Sequence, residues 1–320
     1  YCSPDGAEKE PEHSGGSAGV KSRPEGMEFG PRSVVNPRNM FDTDTSTGTP
    51  AEYIARRTKT VGEMFLRRVE RDTDKPAFFF KADGEWQPVS WNEFAERSGA
   101  VAAYLMGLGL QVGDKVCMVG STTPAWCYCD IGGQLAGAVT LGAYPTLTPK
   151  QLAYILDHAD AKVAFVEGIE EINKILARRQ ELTQLEKVIV WDTAGAESLM
   201  AAHDWLVPFD RVLATPVDRA AIEARAAEVD PSATAIIVYT SGTTGPPKGA
   251  MISHANIMTI MRDQDEALQV YEEDTSLSFL PMAHVAERVL AFYGRINTGM
   301  STYFASSIAK VLEEVVEVRP

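Results

Sequence analysis

Between Lys115 and Trp191 the sequence alternates short runs rich in β-branched residues with longer stretches of helical periodicity. This rhythm restricts the fold more than any other feature. Lys115-Val-Cys-Met-Val119, Gly137-Ala-Val-Thr-Leu141, Val163-Ala-Phe-Val166 and Lys187-Val-Ile-Val-Trp191 read as strands. Each is nearly continuous in apolar residues, as expected where both faces of a strand are covered. The helical patterns between them carry start signals. Pro124 sits just inside one, where its missing N–H costs nothing. Thr148-Pro-Lys-Gln151 has capping-box spacing and opens a second that runs to about His158, and Glu170 to Arg179 is a third. The alternation predicts an α/β fold of mostly parallel sheets covered by helices.

The pattern continues on both sides. Val61, Met64, Phe65 and Val69 follow helical spacing from about Thr60. Ala77-Phe-Phe-Phe80 and Trp86-Gln-Pro-Val89 flank Ala82-Asp-Gly84 as a hairpin, with the phenylalanines as core. Ser90-Trp-Asn-Glu93 caps a helix to about Leu108. Downstream, Asp192 to about Pro216 is less regular and reads as surface chain, and Asp218 to Glu228 as a helix. Ser253 to about Gln269 is helical, Ser276-Leu-Ser-Phe279 a strand and Val285 to Asn297 helical. Thr302-Tyr-Phe304 is a strand, and Ile308 to Val318 the last helix. Residues 1–50 are rich in Gly, Pro, Ser, Thr and charge, with almost no periodic apolar content. They are expected to be a disordered tail before a folded region over 51–320. Tyr1 is not an initiator methionine and the chain stops directly after a helical pattern. A fragment of a longer protein is therefore expected, with Met27 or Met40 as candidate natural starts.

Composition excludes several functions. The formal net charge of -14 argues against nucleic acid as a partner, which would need a basic face, and against electrostatic attachment to anionic lipid. Four cysteines in 320 residues do not make a disulfide scaffold. Cys127 and Cys129 form a C-x-C pair without accompanying histidines and read as buried thiols. The N-terminus has no apolar signal core, and the longest uncharged run, Ile131 to Pro149, is broken by Gly, Thr, Gln and two prolines. A cytoplasmic protein is expected, with a peripheral contact at the inner face of a membrane left open; oligomeric state is not readable.

The most informative stretch is Tyr239-Thr-Ser-Gly-Thr-Thr-Gly-Pro-Pro-Lys-Gly249, entered from the apolar run Ala235-Ile-Ile-Val-Tyr239. Ser253-His-Ala-Asn256 beyond it reads as a helix start with Ser253 as N-cap, so strand, loop and helix are expected in that order. Glycines let backbone N–H groups turn toward an anion, hydroxyls donate further hydrogen bonds, and a lysine adds positive charge. The stretch is not a Walker A loop, because Pro247 precedes Lys248 and Gly249 follows it.

Together with Leu280-Pro-Met-Ala-His284-Val-Ala-Glu287-Arg288, this loop resembles the adenylate-forming (AMP-binding) superfamily, and most closely its long-chain fatty-acyl-CoA synthetases. Pro124-Ala-Trp126 and the run Gly137 to Pro145 look right for the same branch. The resemblance spans about Thr60 to Pro320 and implies the N-terminal large domain of such an enzyme. It implies a two-step ligation: a carboxylate attacks the α-phosphate of ATP, giving acyl-adenylate and pyrophosphate, and the thiol of CoA then displaces AMP. ATP, Mg²⁺ and CoA are the implied cofactors and co-substrate, with a fatty acid as substrate. The loop would hold the β- and γ-phosphates through Thr240, Ser241, Gly242, Thr243, Thr244, Gly245 and Lys248 while charge builds on the leaving group. Thr240 would also help hold Mg²⁺. Lys248 and His284 are the implied catalytic residues, His284 donating to the carboxylate or α-phosphate. His284, Val285 and Ala286 are candidates for the acyl pocket.

Some relatives have an aromatic gate four residues after the histidine; here that position is Arg288. Glu287 and Arg288 are adjacent and so do not face each other, which favours a place on the helix surface. Trp126 reads as core, Asp157-His158 as a helix-end cap or dipole partner, and His254 as a loop-shaping residue. The family's Tyr-Gly-x-Thr-Glu-like motif, its ribose-binding Asp and its C-terminal catalytic Lys are not in this sequence. The domain is thus expected to be partial, and the 320-residue chain by itself inactive or nearly so. The alternatives are an acyl-AMP ligase, an aryl or short-chain acid–CoA ligase, or a non-catalytic nucleotide- or acyl-binding remnant.

Overall fold

The computed structural model describes residues 54, 55, 57–240, 246–268 and 270–320, all within one unit of the chain, Thr47–Pro320. The tail expected over residues 1–50 lies outside the described residues.

The first elements follow their sequence signals. Helix α1 (Val61–Asp72) starts where the Thr60 hydroxyl accepts the Glu63 N–H. Strands β1 (Pro76–Ala82) and β2 (Glu85–Ser90) form an antiparallel hairpin. Asp83 and Gly84 at its tip both have positive φ, 51° and 84°, as a two-residue primed turn requires. Ser90 caps α2 (Trp91–Gly107). The expected alternation then appears as β3 (Lys115–Val119), α3 (Pro124–Leu135), β4 (Val139–Ala143), α4 (Pro149–His158), β5 (Ala161–Val166), α5 (Ile169–Leu176) and β6 (Lys187–Val190). Both hydrogen bonds of the Thr148–Gln151 capping box are present.

The reading of 192–216 as surface chain is corrected. It contains α6 (Glu197–Ala202), β7 (Leu206–Pro208) and α7 (Phe209–Leu213). β7 pairs in parallel with β6 and buries Leu206 and Val207. At three residues it is too short to show periodicity, so only pairing with β6 defines it. After α8 (Arg219–Ala227) come β8 (Thr234–Thr240), β9 (Lys248–Ser253) and α9 (His254–Ala267). Next are β10 (Thr275–Ser278), a π-helix (Ala286–Tyr293), α10 (Gly294–Thr298), β11 (Ser301–Phe304) and α11 (Val311–Val318).

Two sheets result. One has the order β10-β11-β1-β2, and the other β7-β6-β5-β3-β4-β8-β9. In the larger sheet every pairing is parallel except β8–β9. Its two faces are both buried. Val116, Met118, Val163, Phe165 and Ile189 join one apolar cluster, whereas Cys117, Val119, Ala164, Val166 and Val188 join the other. This alternation explains the nearly unbroken apolar strands. β4 lies on one side of β3 and β5 on the other, so the strand order reverses at β3. In open α/β sheets, ligands bind outside the carboxyl ends of the strands near such a reversal.

Candidate active site

The stretch Tyr239 to Gly249 is the tip of a hairpin and not a strand-to-helix turn. β8 and β9 are antiparallel, with Thr240 opposite Lys248, Tyr239 opposite Gly249 and Val238 opposite Ala250. The expected direct passage from loop to helix is therefore corrected by a six-residue strand. Helix α9 still begins where expected: Ser253 accepts from the Asn256 N–H, and the Asn256 side chain accepts from the Ser253 N–H. Lys248-Gly-Ala-Met-Ile-Ser253 is half exposed and carries little strand signal of its own. β8 makes it a strand by offering it a free edge. Gly249 is required at that edge, because a Cβ there would come within 2.8 Å of the Ile237 side chain and 3.3 Å of the Tyr239 ring.

Thr240 and Lys248 are both exposed and close the mouth of the hairpin, a hydroxyl facing an ammonium-bearing chain. Ser241, Gly242, Thr243, Thr244 and Gly245 lie outside the described residues. Two side chains of α4 brace the mouth from the sheet side. The Tyr154 hydroxyl donates to the Pro247 carbonyl at 3.1 Å, and the His158 Nδ1 shares a 2.8 Å hydrogen bond with the Tyr239 hydroxyl. Burial pushes the Tyr239 phenol up to about 12, so it stays neutral in this pair at neutral pH. His158 thus does more than end a helix.

The second half of the site is the turn from β10 into the π-helix. His284 is exposed on it. Its N–H donates to the Pro281 carbonyl at 2.9 Å, and its own carbonyl accepts the Arg288 N–H at 3.0 Å. The imidazole Nδ1 accepts the Ala286 N–H at 3.1 Å. An accepting Nδ1 leaves the proton of the neutral ring on Nε2, which points the ring's donor away from its own helix. Val285 is exposed and Ala286 half-buried at the start of the π-helix. Gly142 of β4 ties the two halves together. It is in register with Val238 of β8, and a Cβ on it would come within 2.8 Å of the Ala283 Cα and 3.1 Å of the Trp126 ring. The His284 turn therefore rests on the strand beside the hairpin. A glycine inside a strand is the sequence signal for such an approach.

Behind the turn lies a buried polar network. Glu287 and Arg288 are 3% and 1% exposed, which corrects their expected place on the helix surface. The Arg288 guanidinium pairs with Asp130 and donates to the Thr140 hydroxyl. It also lies 5.1 Å from the centre of the buried Trp126 ring. Thr140 donates to Asp130 at 2.7 Å, as does the Tyr293 hydroxyl at 2.8 Å, and Gln134 donates to Thr140 at 2.8 Å. Burial opposes the charge on Arg288, but Asp130 outweighs it and the guanidinium is held even more firmly protonated than usual. Glu287 accepts from Ser278 at 2.5 Å and from Arg295 at 2.8 Å. Two adjacent residues can both face inward because the helix has wide π geometry, with i→i+5 bonding, often found at functional sites. Arg288 is fixed in this network, so the position four residues after His284 carries a structural cation.

Other singled-out residues are structural. His254 is buried and accepts the Val61 N–H at 3.2 Å, joining α9 to α1 rather than shaping the loop. Cys117, Cys127 and Cys129 are free and buried; burial raises all three thiols, Cys117 to about 12. Among the described residues no group of three or more His, Cys, Asp or Glu could hold a metal ion, and no helix is long and apolar enough to cross a membrane.

Residues 65–320 match the family model described as "AMP-binding enzyme". Among curated proteins, long-chain-fatty-acid–CoA ligase ACSBG2 of Rattus norvegicus is 29% identical over 272 residues, covering 82% of this chain and 40% of the relative. The chain thus spans well under half the length of the curated relatives it matches. Among solved structures, the adenylation domain of a Mycobacterium chelonae carboxylate reductase superposes with a TM-score of 0.71. It is 21% identical and covers 84% of this chain and 46% of that one. A Mycobacterium tuberculosis fatty acyl CoA synthetase gives 0.68 at 21% identity, covering 82% and 48%. The hairpin loop, the His284 turn and the family match over most of the length lead to one assignment: the chain belongs to the AMP-binding enzyme family, with the fold of adenylate-forming enzymes.

Proposed function

We propose that this chain carries the phosphate-binding side of a long-chain fatty acid–CoA ligase. In this reading residues 51–320 are part of the adenylation domain. ATP and a fatty acid react to acyl-adenylate and pyrophosphate, and CoA then takes the acyl group as a thioester. The observation that supports it most is the contact of Gly142 with Ala283 beside the register pair Gly142–Val238, which puts the His284 turn one strand from the hairpin mouth.

The residues present suit a polyphosphate. Thr240, Ser241, Thr243 and Thr244 supply hydroxyl donors, Gly242 and Gly245 allow close backbone approach, and Lys248 offsets charge on the leaving pyrophosphate. The Thr240 oxygen suits Mg²⁺ as one ligand among phosphate oxygens and water, and the ion would neutralise phosphate charge. His284, with its donor on Nε2, would hydrogen-bond the carboxylate or the α-phosphate without taking a proton, since a carboxylate is already ionised at neutral pH. Val285 and Ala286, next to it, would begin the acyl pocket. Lys248→Ala is expected to slow adenylation by about a hundredfold to a thousandfold, the usual cost of losing one preorganised donor at the developing charge. Hexadecanoate-dependent ATP–pyrophosphate exchange by the full gene product tests the reading. Exchange with hexadecanoate but not benzoate, followed by acyl-CoA formation, is the expected result. Exchange with benzoate alone, or no exchange with any acid, would overturn it.

A further inference from the structure

We infer that Thr122 is a positioning residue for His284. It stands in the loop between β3 and α3, at the carboxyl end of β3 where the strand order reverses. Its hydroxyl donates to the Leu280 carbonyl at 2.7 Å and accepts the Met282 N–H at 3.1 Å. One oxygen therefore pins two backbone groups of the segment leading into His284, across 158 and 160 residues of sequence. The neighbouring Thr123 stands at the N-cap of α3 yet makes no side-chain cap hydrogen bond. Of the two threonines, the one outside the helix makes the long-range contacts.

The turn needs such a clamp. β10 ends at Ser278, and between it and the π-helix the backbone is held by the His284–Pro281 hydrogen bond, by Thr122 and by Ala283 resting on Gly142. Gly142 limits movement toward the sheet, because its missing Cβ leaves no slack beneath Ala283. Thr122 limits movement away from it. Together they fix the height of His284 over β4. Loss of the clamp lets the imidazole shift relative to the reacting groups, and a displacement on the order of 1 Å can cost about a hundredfold in rate. Serine can make both hydrogen bonds. Valine keeps the shape and makes neither.

This inference rests on the role proposed for His284, so the test separates the two. In the full gene product, Thr122→Val is expected to lower kcat for hexadecanoate-dependent pyrophosphate exchange about tenfold, with KM for ATP changed less than about twofold. Thr122→Ser should recover most of that loss. In a His284→Ala background Thr122→Val should add nothing, and hydrogen exchange at the Met282 amide should quicken in the valine variant. If His284→Ala is slow but Thr122→Val is fully active, the positioning role is overturned. It is equally overturned if serine is as slow as valine, if the losses add, or if the Met282 amide stays as protected. A fully active His284→Ala would instead remove the reading of His284, and the positioning role with it.

Discussion

The two halves of the candidate site are held by opposite means. The β8–β9 hairpin is held by a backbone ladder, and the side chains proposed to meet phosphate, Thr240 and Lys248, are exposed and make no structural contribution to the core. The His284 turn has no ladder. Beyond the single His284–Pro281 backbone hydrogen bond it is held by side chains, namely Thr122 from the front and the Asp130–Arg288–Thr140–Tyr293 network from behind. A backbone ladder tolerates changes of its side chains, so a binding loop can sit on it at little cost to stability. A turn fixed by buried polar side chains gains accuracy, but every member of the network then matters to folding. Stability and function should therefore separate at the hairpin and coincide behind the turn.

The largest effect should come from breaking the network. Arg288→Met leaves the Asp130 carboxylate buried and unpaired, and urea unfolding should show a loss of about 3–5 kcal/mol. A loss under about 1 kcal/mol would mean the network does not hold the turn. Lys248→Ala is the counterpart at the hairpin: the exchange rate falls as stated above, while stability moves by less than about 0.5 kcal/mol. Comparable losses of stability from both variants would erase the contrast.

The root of the hairpin adds a pH test. Burial lowers the His254 imidazole from 6.5 to about 4, so the folded state keeps it neutral while the unfolded chain takes up a proton below about 6.5. The group's contribution is present above 6.5 and is lost as pH falls toward about 4. Between pH 7 and pH 5 stability should drop by on the order of 1–2 kcal/mol from this group. His254→Gln should flatten that part of the profile, and an unchanged slope would refute the assignment. The smallest effect belongs to the brace at the mouth. Tyr154→Phe removes the hydrogen bond to Pro247 and should cost about 0.5–1.5 kcal/mol at most, with a few-fold slower exchange. A rate equal to the parent's would show that the loop needs no support from α4.

The alternating elements, the helix caps at Ser90, Thr148 and Ser253, and the hairpin at Asp83–Gly84 were legible in the sequence, because each rests on local chemistry: caps, turn residues and apolar runs. The two chemical motifs were legible for the same reason, being contiguous in sequence. What could not be read depended on distant partners. Lys248 to Ser253 becomes a strand only because β8 has an open edge, and Leu206 to Pro208 only because β6 has one. Glu287 and Arg288 turn inward because Asp130, Ser278 and Arg295 wait there and the π-helix can present both. No local pattern marks Thr122, whose partners lie about half the chain away. The sequence by itself determined the elements that carry their own caps, turn residues or apolar runs, and the two contiguous motifs on which the proposed site rests. Only the tertiary structure decided how those loops are held, since burial and long-range hydrogen bonds belong to pairs of segments and to neither alone.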